Sequence, residues 1–185
     1  VKSGGPYWKN LKSGDKYMSV LTIKAKELTK EGFAPYGSAV CIPTDGNPDR
    51  PTDRFNFWPK LCLYRCDSGV FQIGVSTFFK RPFRTVNMER HFKTEEFMTP
   101  LTGPIVIVFC PNKIVDGADT PDYEKMEAFL ITEKQAVVVE KGVWHWTPMP
   151  LEPEVSIICS FAEDTQWNDL DVQALPPGEV VQVIL

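Results

Sequence analysis

About ten short runs of β-forming residues follow one another between Ser19 and Leu185, each bounded by Gly, Pro, Asn or Asp. No chain punctuated this often can build a helical bundle or a βαβ sheet. The pattern predicts an all-β sandwich or barrel. The runs read as strands are Ser19–Lys24, Ser38–Ile42, Leu61–Cys66, Val70–Phe79, Thr85–Arg90, Ile105–Phe109, Met126–Thr132, Ala136–Val139, Trp144–Thr147, Val155–Phe161 and Val180–Leu185. Asp67-Ser68-Gly69 is a hairpin signal between two of them. Helical spacing is brief: Lys26–Gly32, ended by its glycine, and Trp167–Asp171. Residues 111–121, rich in Gly and Asp, read as a loop.

The remaining stretches are connections. Residues 1–17 are polar, rich in Gly and Lys, and read as an N-terminal arm that docks through Tyr7 and Trp8. Residues 18–185 then form one barrel domain, a length that supports a real core. Residues 43–59 hold four prolines together with Phe55, Phe57 and Trp58. A long apolar loop of this kind either packs over a barrel mouth or closes over a substrate.

The balance of 20 Lys and Arg against 24 Asp and Glu gives a net charge of −4 with the signs interspersed. That excludes a basic footprint for nucleic acid or an anionic membrane. No apolar run reaches membrane-spanning length, and the first residues lack a signal peptide's apolar stretch. Five scattered cysteines do not form a disulfide framework. Cys62 and Cys66 lack the neighbouring ligands of a zinc site. The expectation is a cytoplasmic protein.

Chemistry concentrates around the two histidines of the chain. The first stretch runs Glu89-x-His91-x4-Glu96-x6-Gly103, and the second runs Gly142-x2-His145. Alternation along a strand puts Glu89 and His91 on one face and Arg90 on the other. His91, Glu96 and His145, with Glu89, offer two nitrogens and up to two carboxylates. Such a set suits a divalent nickel, manganese, iron or zinc ion, or a metal-free acid–base site. Arg81, Arg84 and Arg90 cluster around the first stretch, and a guanidinium can hold a substrate carboxylate by two parallel hydrogen bonds, with Arg81 and Arg84 the better placed. Tyr36 and Trp146 are further candidates for the substrate pocket, a hydroxyl and a wall respectively.

These two stretches resemble the two motifs of the cupin superfamily. Glu89 stands where the first motif has its first histidine, and Trp146 stands where relatives carry a second histidine beside His145. Within the superfamily the chain resembles the ureidoglycolate lyase family. Phe33-x2-Tyr36-Gly37, Glu89-Arg90-His91, Pro100-x2-Gly103, Pro121-Asp122 with Ala128-Phe129, Val143-Trp144-His145, and Asp171-Val172 with Pro176 carry the likeness. The resemblance implies a double-stranded β-helix, a jelly-roll barrel with short peripheral helices, and pairing into a homodimer. It implies cleavage of a small anionic substrate, ureidoglycolate, to glyoxylate and urea, with His145, Glu89 and His91 as catalytic candidates. Another cupin isomerase or lyase, or a non-catalytic ligand-binding cupin, would carry the same motifs.

Overall fold

A computed structural model describes residues 19–43, 48–49 and 51–185; the arm at 1–17 lies outside them. The strands are β1 (Ser19–Glu27), β2 (Gly37–Cys41), β3 (Phe71–Phe79), β4 (Arg84–Thr85), β5 (Asn87–Arg90), β6 (Glu96–Pro100), β7 (Ile105–Cys110) and β8 (Asn112–Val115). They continue with β9 (Ala118–Pro121), β10 (Glu127–Ile131), β11 (Gln135–Val139), β12 (Trp144–His145), β13 (Met149–Pro150), β14 (Glu154–Ala162), β15 (Asp171–Ala174) and β16 (Glu179–Ile184). Among the described residues two single-turn α-helices, α1 (Lys30–Phe33) and α2 (Thr165–Asn168), and a 3-10 turn at Tyr123–Lys125 accompany the strands.

One sheet runs β15–β5–β12–β7–β10–β1–β16–β4, with β13 beside β7. The second runs β2–β11–β6–β14–β3. The first sheet cannot be flat. β4 lies at one margin and β5 near the other, yet only Val86 separates them in the chain. The sheet therefore curls: β4 pairs with β16 at one margin, through Val181 with Thr85, while Val86 carries the chain straight into β5 near the other, where Leu175 N–H donates to Val86 O at 2.8 Å as a continuation of the β15–β5 pairing. This curled, two-sheet, all-β arrangement is a jelly-roll barrel.

Two cores follow from the curl. Ile105, Ile107 and Phe109 of β7 face the second sheet and meet Met98, Val137 and Ile157. Val106, Val108 and Cys110 point the other way, into the curl, against Met88, Trp144 and Val181. Every residue of β7 is buried, which is why it reads as a continuous apolar run rather than an alternating one. Alternation also sorts β5 and β12. Met88 and Trp144 enter the curl, while Glu89 and His145 are turned towards the space between the sheets. Arg90 falls on the opposite face from Glu89, as its position predicts. Its guanidinium lies 4.0 Å from the Trp144 ring and 4.4 Å from the Phe92 ring and pairs with Asp119 and Asp171.

Several local expectations need correction. β1 continues to Glu27, and the helix begins only at Lys30, because the Thr29 hydroxyl accepts the N–H of Gly32 at 3.0 Å and caps it there. Leu61–Cys66 forms no strand. Cys62, Tyr64 and Cys66 are half-buried, with the Tyr64 ring 4.4 Å from that of Phe71, but the backbone makes only a lone bridge from Cys66 to Thr94 and builds no ladder. The loop expected at 111–121 is the β8–β9 hairpin. Asp116 and Gly117 both have positive φ, 51° and 81°, as a two-residue primed turn requires. The second helix is the single turn Thr165–Asn168, and Asp171 already starts β15.

Gly37 is required by a close approach. At φ 145°, a Cβ there would sit 2.0 Å from Val138 O on the neighbouring strand β11. Gly37→Ala should therefore force β2 off β11 and cost about 3 kcal/mol or more. A lowered urea midpoint at unchanged m-value would show it.

Candidate active site

A cavity of about 270 Å³ opens between the two sheets. Four of the residues singled out by the histidine stretches converge there: Glu89, His91, Glu96 and His145. β5 delivers Glu89, and the turn after it delivers His91. β6 begins with Glu96, and β12 ends with His145. The register sets Glu89 directly opposite His145 on the adjacent strands β5 and β12. The rest of the wall is contributed mainly by the second sheet and by the segment around α2: Ser76, Phe78, Met98, Ile157, Cys159 and Leu170 among others.

Each histidine has one nitrogen tied to a backbone carbonyl. His91 Nδ1 lies 2.7 Å from Asp169 O, and His145 Nδ1 lies 3.0 Å from Val143 O. A carbonyl only accepts, so both Nδ1 atoms carry their protons. Both Nε2 atoms are thereby turned to the Glu96 carboxylate, at 3.5 Å from His91 and 3.1 Å from His145. The ligand atoms of the three residues lie within 4.8 Å of one another, and all three side chains are buried.

The electrostatics of the cluster are those of a cation-demanding site. Burial pulls the His91 imidazole down, but the adjoining Glu96 carboxylate outweighs it and sets the pKa at about 9. Burial pushes Glu96 up, and the two imidazoles reverse this and bring it to about 2. His145 Nε2 is sealed from solvent and faces Glu96 Oε2 at 3.1 Å without the alignment of a hydrogen bond. A buried nitrogen so placed beside a carboxylate and a second imidazole fits a metal ion, as does the mixed nitrogen and oxygen donor set. Burial also raises the carboxyl pKa of Glu89.

The other predicted residues fall elsewhere. Arg81 stands behind the cavity wall, where its Nη2 donates to the carbonyl and hydroxyl of cavity-lining Thr147 at 2.9 and 2.8 Å. Arg84 is exposed and donates to the Gln182 side chain. Tyr36 is core, packed on Phe33, Phe109 and Phe129, with its hydroxyl on Lys125 O at 3.4 Å. Trp146 belongs to the core inside the curl. None of these four lines the cavity. The described part of the 43–59 loop does not line it either. Trp58 instead borders a separate groove with Val40, Leu61 and Thr99.

Some site residues escaped the sequence reading although period-two spacing marks them. Thr147 lies two residues beyond His145, and Ser76 and Phe78 alternate inward from β3. Asp169, which holds His91, carries no such local mark.

The ureidoglycolate lyase family model matches residues 20–182. A ureidoglycolate lyase of Pseudomonas paraeruginosa is 30% identical over 141 residues, spanning 71% of this chain and 78% of that protein. A ureidoglycolate lyase of Pseudomonas savastanoi pv. phaseolicola is 30% identical over 132 residues, spanning 68% and 74%. Among solved structures, RmlC from Streptococcus suis shares 14% identity over 52% of this chain and 45% of that chain, with a TM-score of 0.35. The match runs through β5, β6 and β12, the strands that carry the buried histidine–carboxylate cluster, and the chain belongs to the ureidoglycolate lyase family.

Proposed function

We propose that the chain cleaves ureidoglycolate to glyoxylate and urea in the cavity that Glu89, His91, Glu96 and His145 share. The convergence of these four side chains on one cavity carries the reading. Ureidoglycolate is a hemiaminal with a carboxylate beside the reacting carbon. Cleavage needs a base for the carbinol proton. The C–O bond then becomes the aldehyde as the C–N bond breaks, and the departing urea nitrogen takes up a proton.

Glu89 is the base in this scheme. It lines the cavity, and unlike Glu96 it is not engaged with both imidazoles. Having taken the carbinol proton, its carboxyl can return a proton to the urea nitrogen, so atoms and charge balance. A divalent ion would be held by His91 Nε2, Glu96 and His145 Nε2, and nickel, manganese, iron and zinc all suit this set. Such an ion supplies a Lewis acid that lowers the hydroxyl's pKa. His91 and His145 fix the donor geometry, and Phe78, Ile157 and Phe161 keep water from the reacting carbon. Incubation with ureidoglycolate under each metal in turn should release glyoxylate, and no release under any of them overturns the reading.

Arg81 orients the substrate carboxylate through Thr147. Its guanidinium is partly buried, burial lowers its pKa, and no acidic partner pairs with it among the described residues. Arg81→Ala should raise KM roughly ten-fold with a smaller change in kcat, the loss of about one charge-assisted interaction. Steady-state kinetics that show only a fall in kcat would contradict this role.

The chain pairs as a homodimer through the outer face of β3. That strand is a sheet margin, and it exposes Ile73 (77%), Val75 (66%) and Phe79 (65%) to solvent. Val75→Lys should convert a dimeric sedimentation profile to a monomeric one, and an unchanged profile would rule this face out.

A further inference from the structure

The segment after β14 serves the cavity twice. Thr165, Gln166 and Leu170 form part of its wall. Between them Asp169, itself 6% exposed, ends α2 by donating its N–H to Thr165 O at 3.0 Å. From this position it makes three bonds to the turn that carries His91. Its backbone carbonyl accepts the His91 Nδ1–H at 2.7 Å. Its two carboxylate oxygens accept the N–H groups of Phe92 at 3.0 Å and Lys93 at 2.7 Å.

We infer that Asp169 is a positioning residue that aims the Nε2 of His91 into the site, an inference that rests on the site proposed above. The carboxylate does not touch the imidazole. It fixes the backbone just after His91 against the carbonyl that binds the ring, so ring and acceptor are held in one frame. The Nδ1 proton is then pinned whether the ring is neutral or charged, and Nε2 is left for a metal or substrate. His145 is oriented differently, by the carbonyl of Val143 two residues away in its own chain. It therefore needs no distant clasp. The two histidines should respond differently when the clasp is removed, and His145 becomes an internal control.

The experiment compares the wild-type protein with Asp169→Ala and Asp169→Asn. With two histidines in the chain, the ring N–H signals are readable by proton–nitrogen NMR, with and without zinc. In Asp169→Ala, the Nδ1–H of His91 should exchange with solvent at least about ten-fold faster, while that of His145 keeps its wild-type rate. Zinc affinity, measured by calorimetry, should fall about 10–100-fold. Asp169→Asn keeps one accepting oxygen and should fall between wild type and Ala. If Asp169→Ala does not fold, Asp169→Asn decides on the same signals. Unchanged exchange at His91 in a folded variant overturns the inference, and so does equal loss at both histidines. The ring signals need no substrate. Failure to cleave ureidoglycolate would thus overturn the proposed reaction and leave this inference standing.

Discussion

Glu89→Gln should lower kcat by about 10²–10⁴-fold, the usual contribution of a positioned proton-transfer group. The amide has the shape of the carboxylate but cannot accept the carbinol proton. Its backbone is held on both sides, opposite His145 on one neighbouring strand and Val172 on the other. The strand therefore stays in register, and the side chain still lines the cavity. Metal content should be unchanged, because the cation-holding set is His91, Glu96 and His145. KM should not rise, since the amide removes a charge that repels an anionic substrate. A kcat within about three-fold of wild type would remove Glu89 from the role of base.

The second large effect is expected from the histidines. His91→Ala with His145→Ala should reduce bound metal from stoichiometric to background and bring turnover down to the uncatalysed rate. The pair of substitutions has a structural cost that must be separated from the chemical one. Glu96 is buried, and the two imidazoles are what hold its carboxyl ionised at about 2. Removing them leaves an unpaired buried carboxylate, which costs on the order of 3–5 kcal/mol while it stays charged. Adding Glu96→Gln removes that charge. The triple variant should recover much of the lost thermal stability while remaining without metal and inactive. Elemental analysis beside a melting curve checks both halves. Stoichiometric metal retained in the folded triple variant would place the ion elsewhere.

Many strands were legible where a buried face imposed alternation, although β6, which also alternates, is absent from the expected runs. β3, β14 and β16 fall close to their expected limits for that reason. Leu61–Cys66 alternates too, with Tyr64 packed on Phe71 and Phe97, yet its backbone finds only the bridge from Cys66 to Thr94 and so forms no strand. The convergence of the candidate cluster was legible because strand geometry is local. Glu89 and His91 share a face by period two, and His145 faces Glu89 through the pairing of β5 with β12. What sequence could not give is the depth of each side chain. Tyr36 and Trp146 stand near the motifs in sequence or in likeness, yet packing draws both into the cores. Arg81 stops one layer behind the wall because Thr147 takes its guanidinium. The curl of the first sheet rests on contacts between distant segments, such as Val181 with Thr85, that no local pattern announces. Asp169 reaches His91 by the same kind of long-range closure.

The most direct measurement of the central claim is product stoichiometry. Purified protein loaded with each divalent metal is given ureidoglycolate, and glyoxylate, urea and ammonia are followed together. Cleavage of the C–N bond at the carbinol carbon predicts glyoxylate and urea in equal amounts, with no ammonia, and both products released at least about 10²-fold more slowly by Glu89→Gln. Ammonia in place of urea, or no glyoxylate under any metal, would contradict it.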